Sequence, residues 1–165
     1  NDTNSAKDVF MAQWVVEPRV SGQLAFSDFV GQLPATAMIE FRDPANGSIV
    51  RSCDAAIAAD GSFSVYSPGP GIWDLSAKIG HWLRKTVRID TTGGDVSGVL
   101  IQLSNGDIDG DNAVTVFDYN LLSEAFDSVE GDANWNADAD LDGDGFVTVF
   151  DYNILSQNFD ALGDE

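Results

Sequence analysis

Disulfide chemistry is closed to this chain acting alone, because it holds a single cysteine, Cys53. The redox compartment therefore cannot be read from bridges, and Cys53 reads as a small hydrophobe half-buried on a strand. No run of about 18 apolar residues occurs, which excludes a membrane-spanning helix. Histidine occurs once, as His81 in Gly80-His81-Trp82-Leu83-Arg84-Lys85. No nucleophile and acid accompany it at a recognisable spacing, so it reads as a surface residue at a turn or strand start. Basic residues are scarce, 8 Lys and Arg against 27 Asp and Glu, for a net charge of -19. Such a charge argues against nucleic acid or an anionic membrane surface as a partner and makes metal cations the natural counter-charge. The chain begins Asn1-Asp2-Thr3-Asn4-Ser5 without an initiator Met or a charged-then-apolar leader, which fits a processed or excised secreted segment.

The charge is unevenly spread: residues 107–165 carry 16 of the 27 acids and no Lys or Arg. Two regions with different physics follow, and self-repulsion in the acidic one must be relieved by something bound. With 44% hydrophobic residues in 165, the chain has material for cores in two small domains. Residues 1–8 are polar and read as a flexible tail. From 9 to 103, short runs rich in Val, Ile, Phe and Trp alternate with turn residues: Pro44-Ala45-Asn46-Gly47, Asp60-Gly61, Pro68-Gly69-Pro70-Gly71 and Thr92-Gly93-Gly94-Asp95.

These cuts predict strands near 9–16, 20–26, 36–42, 48–58, 62–66, 72–79, 83–90 and 96–103. Ala37, Ile39 and Phe41 face one way while Met38, Glu40 and Arg42 face the other. The same holds for Trp73, Leu75, Ala77 and Ile79 against Asp74, Ser76 and Lys78. Period-two patterning with turns at this density predicts an all-β antiparallel sandwich over 9–103. The segment 34–41, Gly61-Ser62-Phe63-Ser64-Val65 and Gly71-Ile72-Trp73-Asp74-Leu75-Ser76-Ala77 resemble the carboxypeptidase regulatory-like or transthyretin-like sandwich, over about 18–103. That resemblance implies an accessory domain: a spacer, a stabiliser or a binding face. Polysaccharide is a further candidate partner, through exposed aromatics; with Trp73 turned inward, Trp14 and Trp82 remain as platforms. The Arg84-Lys85 pair reads as solvated charge that could face the acidic module.

The strongest signal is an internal repeat. A shift of 33 residues lays Asp107-Ile108-Asp109-Gly110-Asp111-Asn112-Ala113-Val114-Thr115-Val116-Phe117-Asp118 on Asp140-Leu141-Asp142-Gly143-Asp144-Gly145-Phe146-Val147-Thr148-Val149-Phe150-Asp151. The match runs on through Tyr119-Asn120-Leu121-Leu122-Ser123 and Tyr152-Asn153-Ile154-Leu155-Ser156. Calcium takes six to eight oxygens at roughly 2.3–2.6 Å, and carboxylates at loop positions 1, 3, 5 and 12 wrap one ion. Asp107, Asp109, Asp111 and Asp118 fill those positions in the first loop, and Asp140, Asp142, Asp144 and Asp151 fill them in the second. Position 7 adds the carbonyls of Ala113 and Phe146, and position 9 adds Thr115 and Thr148, directly or through water. Two Ca2+ per chain are expected, with position 12 bidentate and metal binding coupled to folding. Position 6, which needs a left-handed backbone, is Gly145 in one loop and Asn112, the next most tolerant residue, in the other.

A helix is expected after each loop, with Phe117, Leu121, Leu122, Ala125 and Phe126 on one face of the first and Phe150, Ile154, Leu155 and Phe159 on one face of the second. Ile101-Gln102-Leu103-Ser104-Asn105-Gly106 reads as strand and turn, so no helix enters the first loop. Loop spacing, duplication, Asp at position 12 and the connecting Trp135-Asn136-Ala137-Asp138-Ala139-Asp140 make residues 105–160 resemble a dockerin. Trp135 reads as a packing residue there. The architecture implied is multi-domain: the sandwich, then a small α module at 104–165 with two EF-hand-type loops.

The resemblance implies calcium-dependent attachment to a cohesin-like domain, in a secreted or cell-surface protein of bacterial type, and no catalysis. Every clustered carboxylate is already explained by metal, with no acid and base paired across a cleft. Recognition would fall on Val116, Phe117, Ser123 and Glu124 and on Val149, Phe150, Ser156 and Gln157, with the duplication letting either helix present the same face. Val-Phe is more apolar than the hydroxyl-rich pairs common in dockerins. Either the partner differs from a standard cohesin, or this face packs inside the chain, since only three residues separate Leu103 from Asp107 and the modules must touch.

Overall fold

A computed structural model describes residues 17–165. The tail, the strand candidate at 9–16 and Trp14 lie outside the described residues. Seven strands follow one another: β1 (Arg19–Phe26), β2 (Thr36–Arg42), β3 (Ile49–Ala56), β4 (Ser62–Tyr66), β5 (Ile72–Ile79), β6 (Trp82–Asp90) and β7 (Val96–Leu103). Two helices come after them, α1 (Val116–Ala125) and α2 (Val149–Gln157). The turn clusters fall between strands as expected, and Gly47 and Gly61 take φ of 72° and 81°, where an L side chain is strained.

The strands form two sheets, in the orders β4-β1-β7 and β3-β2-β5-β6. Their inner faces share one core: Val20, Leu24, Phe63 and Ile101 from the first meet Ile39, Phe41, Leu75 and Ala77 from the second. Trp73 packs partly buried against it, as does Cys53. Glu40 faces away from that core, as its alternation requires, yet it is buried under Arg42 and Arg84. Burial alone would raise its carboxyl, but the Arg42 hydrogen bond and the charges of Arg84 and Arg42 outweigh it and hold Glu40 below the usual carboxylate range. Arg84 is thus no solvated charge.

The purely antiparallel sandwich needs one correction, because β1 and β7 pair in parallel while every other pair is antiparallel. Alternation and tight turns specify neighbours in sequence, whereas these strands stand at opposite ends of the unit and no turn dictates their sense. The parallel seam sends both strand ends to one pole, with Phe26 opposite Leu103. The two-residue β5–β6 turn reaches the same pole, where Ile79 faces Trp82 and Trp82 bridges to Asn105. The acidic module sits there.

That module has its own core of Ile108, Val114, Leu122, Ala125, Leu141, Val147, Ile154 and Leu155, with Trp135 packed against it. Leu83 of β6 belongs to this second core, while its neighbour Trp82 belongs to the first. Strand alternation therefore plugs one residue into each unit. Phe117 and Phe150 do not join the buried helix faces as expected; they are 63% and 62% exposed, and Phe126 and Phe159 are exposed as well. No helix among the described residues is long and apolar enough to cross a membrane.

At the parallel seam, a Cβ built on Gly22 would stand 2.0 Å from the Val99 carbonyl oxygen. Gly22→Ala is expected to force β1 and β7 apart and to cost about 1–3 kcal/mol, read by denaturant unfolding.

Candidate metal centre and interaction face

Each loop is built from its own backbone. Asp109 Oδ1 accepts from Asp111 N at 3.1 Å and Asp111 Oδ1 from Ala113 N at 2.9 Å. Asp142 and Asp144 repeat the pattern with Asp144 N at 3.1 Å and Phe146 N at 2.9 Å. At position 6, Asn112 and Gly145 have φ of 73° and 89°, so both take the left-handed backbone the turn requires. Asp118 accepts from Ile108 N at 2.7 Å and, through its other oxygen, from Thr115 N at 2.7 Å. Asp151 does the same with Leu141 N and Thr148 N, both at 2.7 Å.

Thr115 and Thr148 cap α1 and α2, accepting from Phe117 N and Phe150 N, and the position-12 aspartate completes a capping box. The Thr-x-x-Asp spacing in each repeat carries this cap signal as well as the loop chemistry. One aspartate therefore closes the loop and starts the helix.

Carboxylate oxygens of Asp107, Asp109 and Asp118 lie within 4.8 Å of one another, as do those of Asp140, Asp142 and Asp144. Between them the two triads use positions 1, 3, 5 and 12; Asp111 and Asp151 stand outside the triads of their own loops. Burial, followed by the charges of Asp118, Asp111 and Asp107, raises the Asp109 carboxyl against the Asp111 N–H. Asp140 and Asp142 are raised in the same way, with Asp151 the strongest like charge on each. Asp107 is fully buried, and its Oδ1 has no hydrogen-bond partner. An all-oxygen donor set, mutual repulsion and an orphaned buried carboxylate oxygen fit a hard divalent cation.

The two repeats lock reciprocally. Val114, leaving the first loop, exchanges hydrogen bonds with Ala161 and Asp160 beyond α2, and Val147 exchanges them with Ser128 and Asp127 beyond α1. Asp127 and Asp160 both take positive φ, 59° and 63°. Each loop's exit is thereby hydrogen-bonded to the segment that follows the other repeat's helix.

This duplicated stretch, 105–160, matches the family model of the dockerin type I domain. Residues 105–160 are a dockerin type I domain. Two solved structures resemble the chain over 88% of its length and 97% of theirs, at 19% and 20% identity and TM-scores of 0.70 and 0.71. They are N-terminal and C-terminal interface mutants of a type II cohesin–X-dockerin complex from Acetivibrio cellulolyticus. At this identity they establish the fold, and their span takes in the sheets as well as the dockerin. No curated protein matches the chain.

On the dockerin surface, Val116, Phe117, Ser123 and Glu124 are exposed, as are Val149, Phe150, Ser156 and Gln157. The reading in which this apolar face packs inside the chain is thereby corrected. Val116 and Phe117 open α1 directly after its cap, so their side chains project beyond the first core-facing turn; Val149 and Phe150 do so on α2. Tyr119 and Tyr152 meet edge-on between the two faces, ring centroids 6.1 Å apart. Trp82 is only 1% exposed, which removes it as a sugar platform.

The sheets grip both loops. Asn112 Oδ1 accepts from Arg84 N at 2.7 Å, and its Nδ2 donates to the Asp164 carbonyl at 3.1 Å. Val30 N donates to the Asp142 carbonyl at 2.7 Å, and Asn105 Nδ2 to Leu141 O at 2.6 Å. Lys85 reaches Asp164 at 3.3 Å, so the basic pair does face the acidic module. His81 is no surface residue: it is 5% exposed, its carbonyl accepts from Gly106 N and Asp107 N, and its Nδ1 donates to the Asp138 carbonyl at 2.9 Å. Its place in a two-residue turn suggested exposure, but the dockerin covers that turn.

Glycine suits position 6 better by backbone alone, yet Asn112→Gly removes both side-chain bonds. It is expected to destabilise the protein by about 1–3 kcal/mol in chemical denaturation. Burial lowers the His81 imidazole below its ordinary 6.5, against the Asp138 carbonyl and Asp107, with Lys78 adding to the lowering. A depressed histidine contributes stability above its unfolded value and loses it as pH falls below. The thermal midpoint is expected to drop between about pH 7.5 and 5.5, and to drop less in His81→Gln.

Proposed function

We propose that this chain is a non-catalytic, calcium-dependent attachment module that docks a secreted or cell-surface protein of bacterial type onto a cohesin-like domain. In this reading 104–165 is the docking domain, and the sandwich of 9–103, transthyretin-like in kind, supports it. The observation that carries the proposal is the twice-presented exposed face, Val116-Phe117 and Val149-Phe150, seated on two carboxylate loops inside a dockerin. The cohesin partner named for the structurally similar complexes supports the same reading.

The residues that would hold calcium are Asp107, Asp109, Asp111, Asp118, Thr115 and the Ala113 carbonyl, and then Asp140, Asp142, Asp144, Asp151, Thr148 and the Phe146 carbonyl. Bound calcium supplies the positive charge that crowded aspartates need in order to stay folded. The chain's own part is to frame each loop with backbone N–H groups and to start each helix from the same aspartate. That start aims two apolar residues outward. Phenylalanine and valine at the centre of each face would anchor an interface, with Ser123, Glu124, Ser156 and Gln157 as its polar border. The reciprocal lock makes the two faces equivalent, so either helix would present the same anchors.

Calcium added to the chelated full chain is expected to bind as two ions and to raise the helical signal; a flat titration removes the metal from the account. Capture of a cohesin domain should require calcium and should be lost in Phe117→Ala/Phe150→Ala. Because both rings are exposed, that variant should unfold within about 1 kcal/mol of the parent. Either single variant should retain capture through the other face.

A further inference from the structure

Among the described residues, the first loop has a cation that the second lacks. Lys78, on β5, directs its ammonium across the junction and donates to Gly80 O at 2.8 Å, to Trp82 O at 2.8 Å and to Asp107 Oδ2 at 2.7 Å. Three donors meet three acceptors, which leaves the ammonium fully satisfied. The Lys78 side chain is 15% exposed and that of Asp107 0%, so this ion pair is shielded from solvent as the Glu40 pairs are, and unlike the exposed Lys85–Asp164 pair. At such burial the attraction exceeds that of an exposed pair several-fold.

Asp107 is divided between two tasks. Its Oδ2 is committed to Lys78 and to Asn112 N, at 3.2 Å, while the buried Oδ1 has no partner. The equivalent Asp140 is answered only from within its own loop, by Gly143 N at 3.0 Å and Gly145 N at 2.9 Å. Among the described residues no Lys or Arg pairs with a carboxylate of the second loop. The two loops, nearly identical in sequence, therefore differ in what balances their charge.

We propose that Lys78 is a resident counter-cation for the first loop: it keeps repeat one seated on the sandwich when calcium is absent and leaves the second loop as the calcium-dependent half. The inference rests on the calcium reading of the loops and adds an asymmetry to it. Lys78 acts through Asp107 and is a positioning residue. The ammonium holds Oδ2 and leaves Oδ1 without a partner, so this carboxylate would be open to calcium as a second counter-charge. Without either, a fully buried carboxylate is left unbalanced.

The test uses the full chain, with calcium alone as the probe. Thermal midpoints of the parent and Lys78→Met are compared in chelator and in saturating calcium. The loss caused by Lys78→Met is expected to be at least about twice as large in chelator as in calcium, so that calcium raises the variant's midpoint more than the parent's. Equal losses in both conditions would mean that Lys78 only packs, and would overturn the proposal. A parent whose midpoint ignores calcium would instead sink the calcium reading itself. Lys85→Met, at a half-exposed pair, should show no calcium-dependent difference. Amide exchange on the parent in chelator keeps the proposal testable if Lys78→Met does not fold: α1 should exchange more slowly than α2, and equal rates would overturn it.

Discussion

Like-charge crowding in two short loops is the constraint on which the rest of this molecule depends. Residues 107–165 bring 16 carboxylates and no base, and several, among them Asp107, Asp118 and Asp151, are fully buried. Buried carboxylates persist only when they are bonded or balanced. Here Asp118 and Asp151 each accept loop N–H groups through one oxygen and cap a helix through the other. Loop closure and helix initiation are thus one event. Because Val116-Phe117 and Val149-Phe150 are the first residues of those helices, the exposed faces inherit their direction from the loops.

The sandwich acts on the same charge problem from outside. Its pole presents Lys78, the Arg84 and Val30 amides and the His81 carbonyl to the loops, and Leu83 enters the dockerin core while Trp82 stays in its own. This junction is more than a short linker. The parallel β1–β7 seam is what gathers the strand ends and the β5–β6 turn at one place. A fully antiparallel arrangement would have sent one of those strands to the opposite pole.

Much of this was readable from local pattern. The strands at 36–42, 62–66, 72–79 and 96–103, the 33-residue repeat, the left-handed turn at Asn112 and the packing of Trp135 all follow from periodicity or from spacing within a dozen residues. The errors share one cause. Sequence neighbours suggest exposure for His81, Arg84 and Trp82, whereas residues far away in the chain bury His81 and Trp82 and pair Arg84 with Glu40. Hydrophobicity and helical spacing alone would put Phe117 and Phe150 with the core, but their position just after the cap turns them outward.

What the sequence alone determined is the chemistry of the loops and the identity of the elements, since ligand spacing, turn residues and alternation are short-range and do not depend on what lies opposite. What only the tertiary structure decided is the sense in which β1 and β7 pair, which aromatics are covered, and that a lysine from the sandwich stands beside one aspartate loop and not its twin. Those are long-range juxtapositions, and two repeats that are near-copies in sequence become different sites because only one of them meets β5.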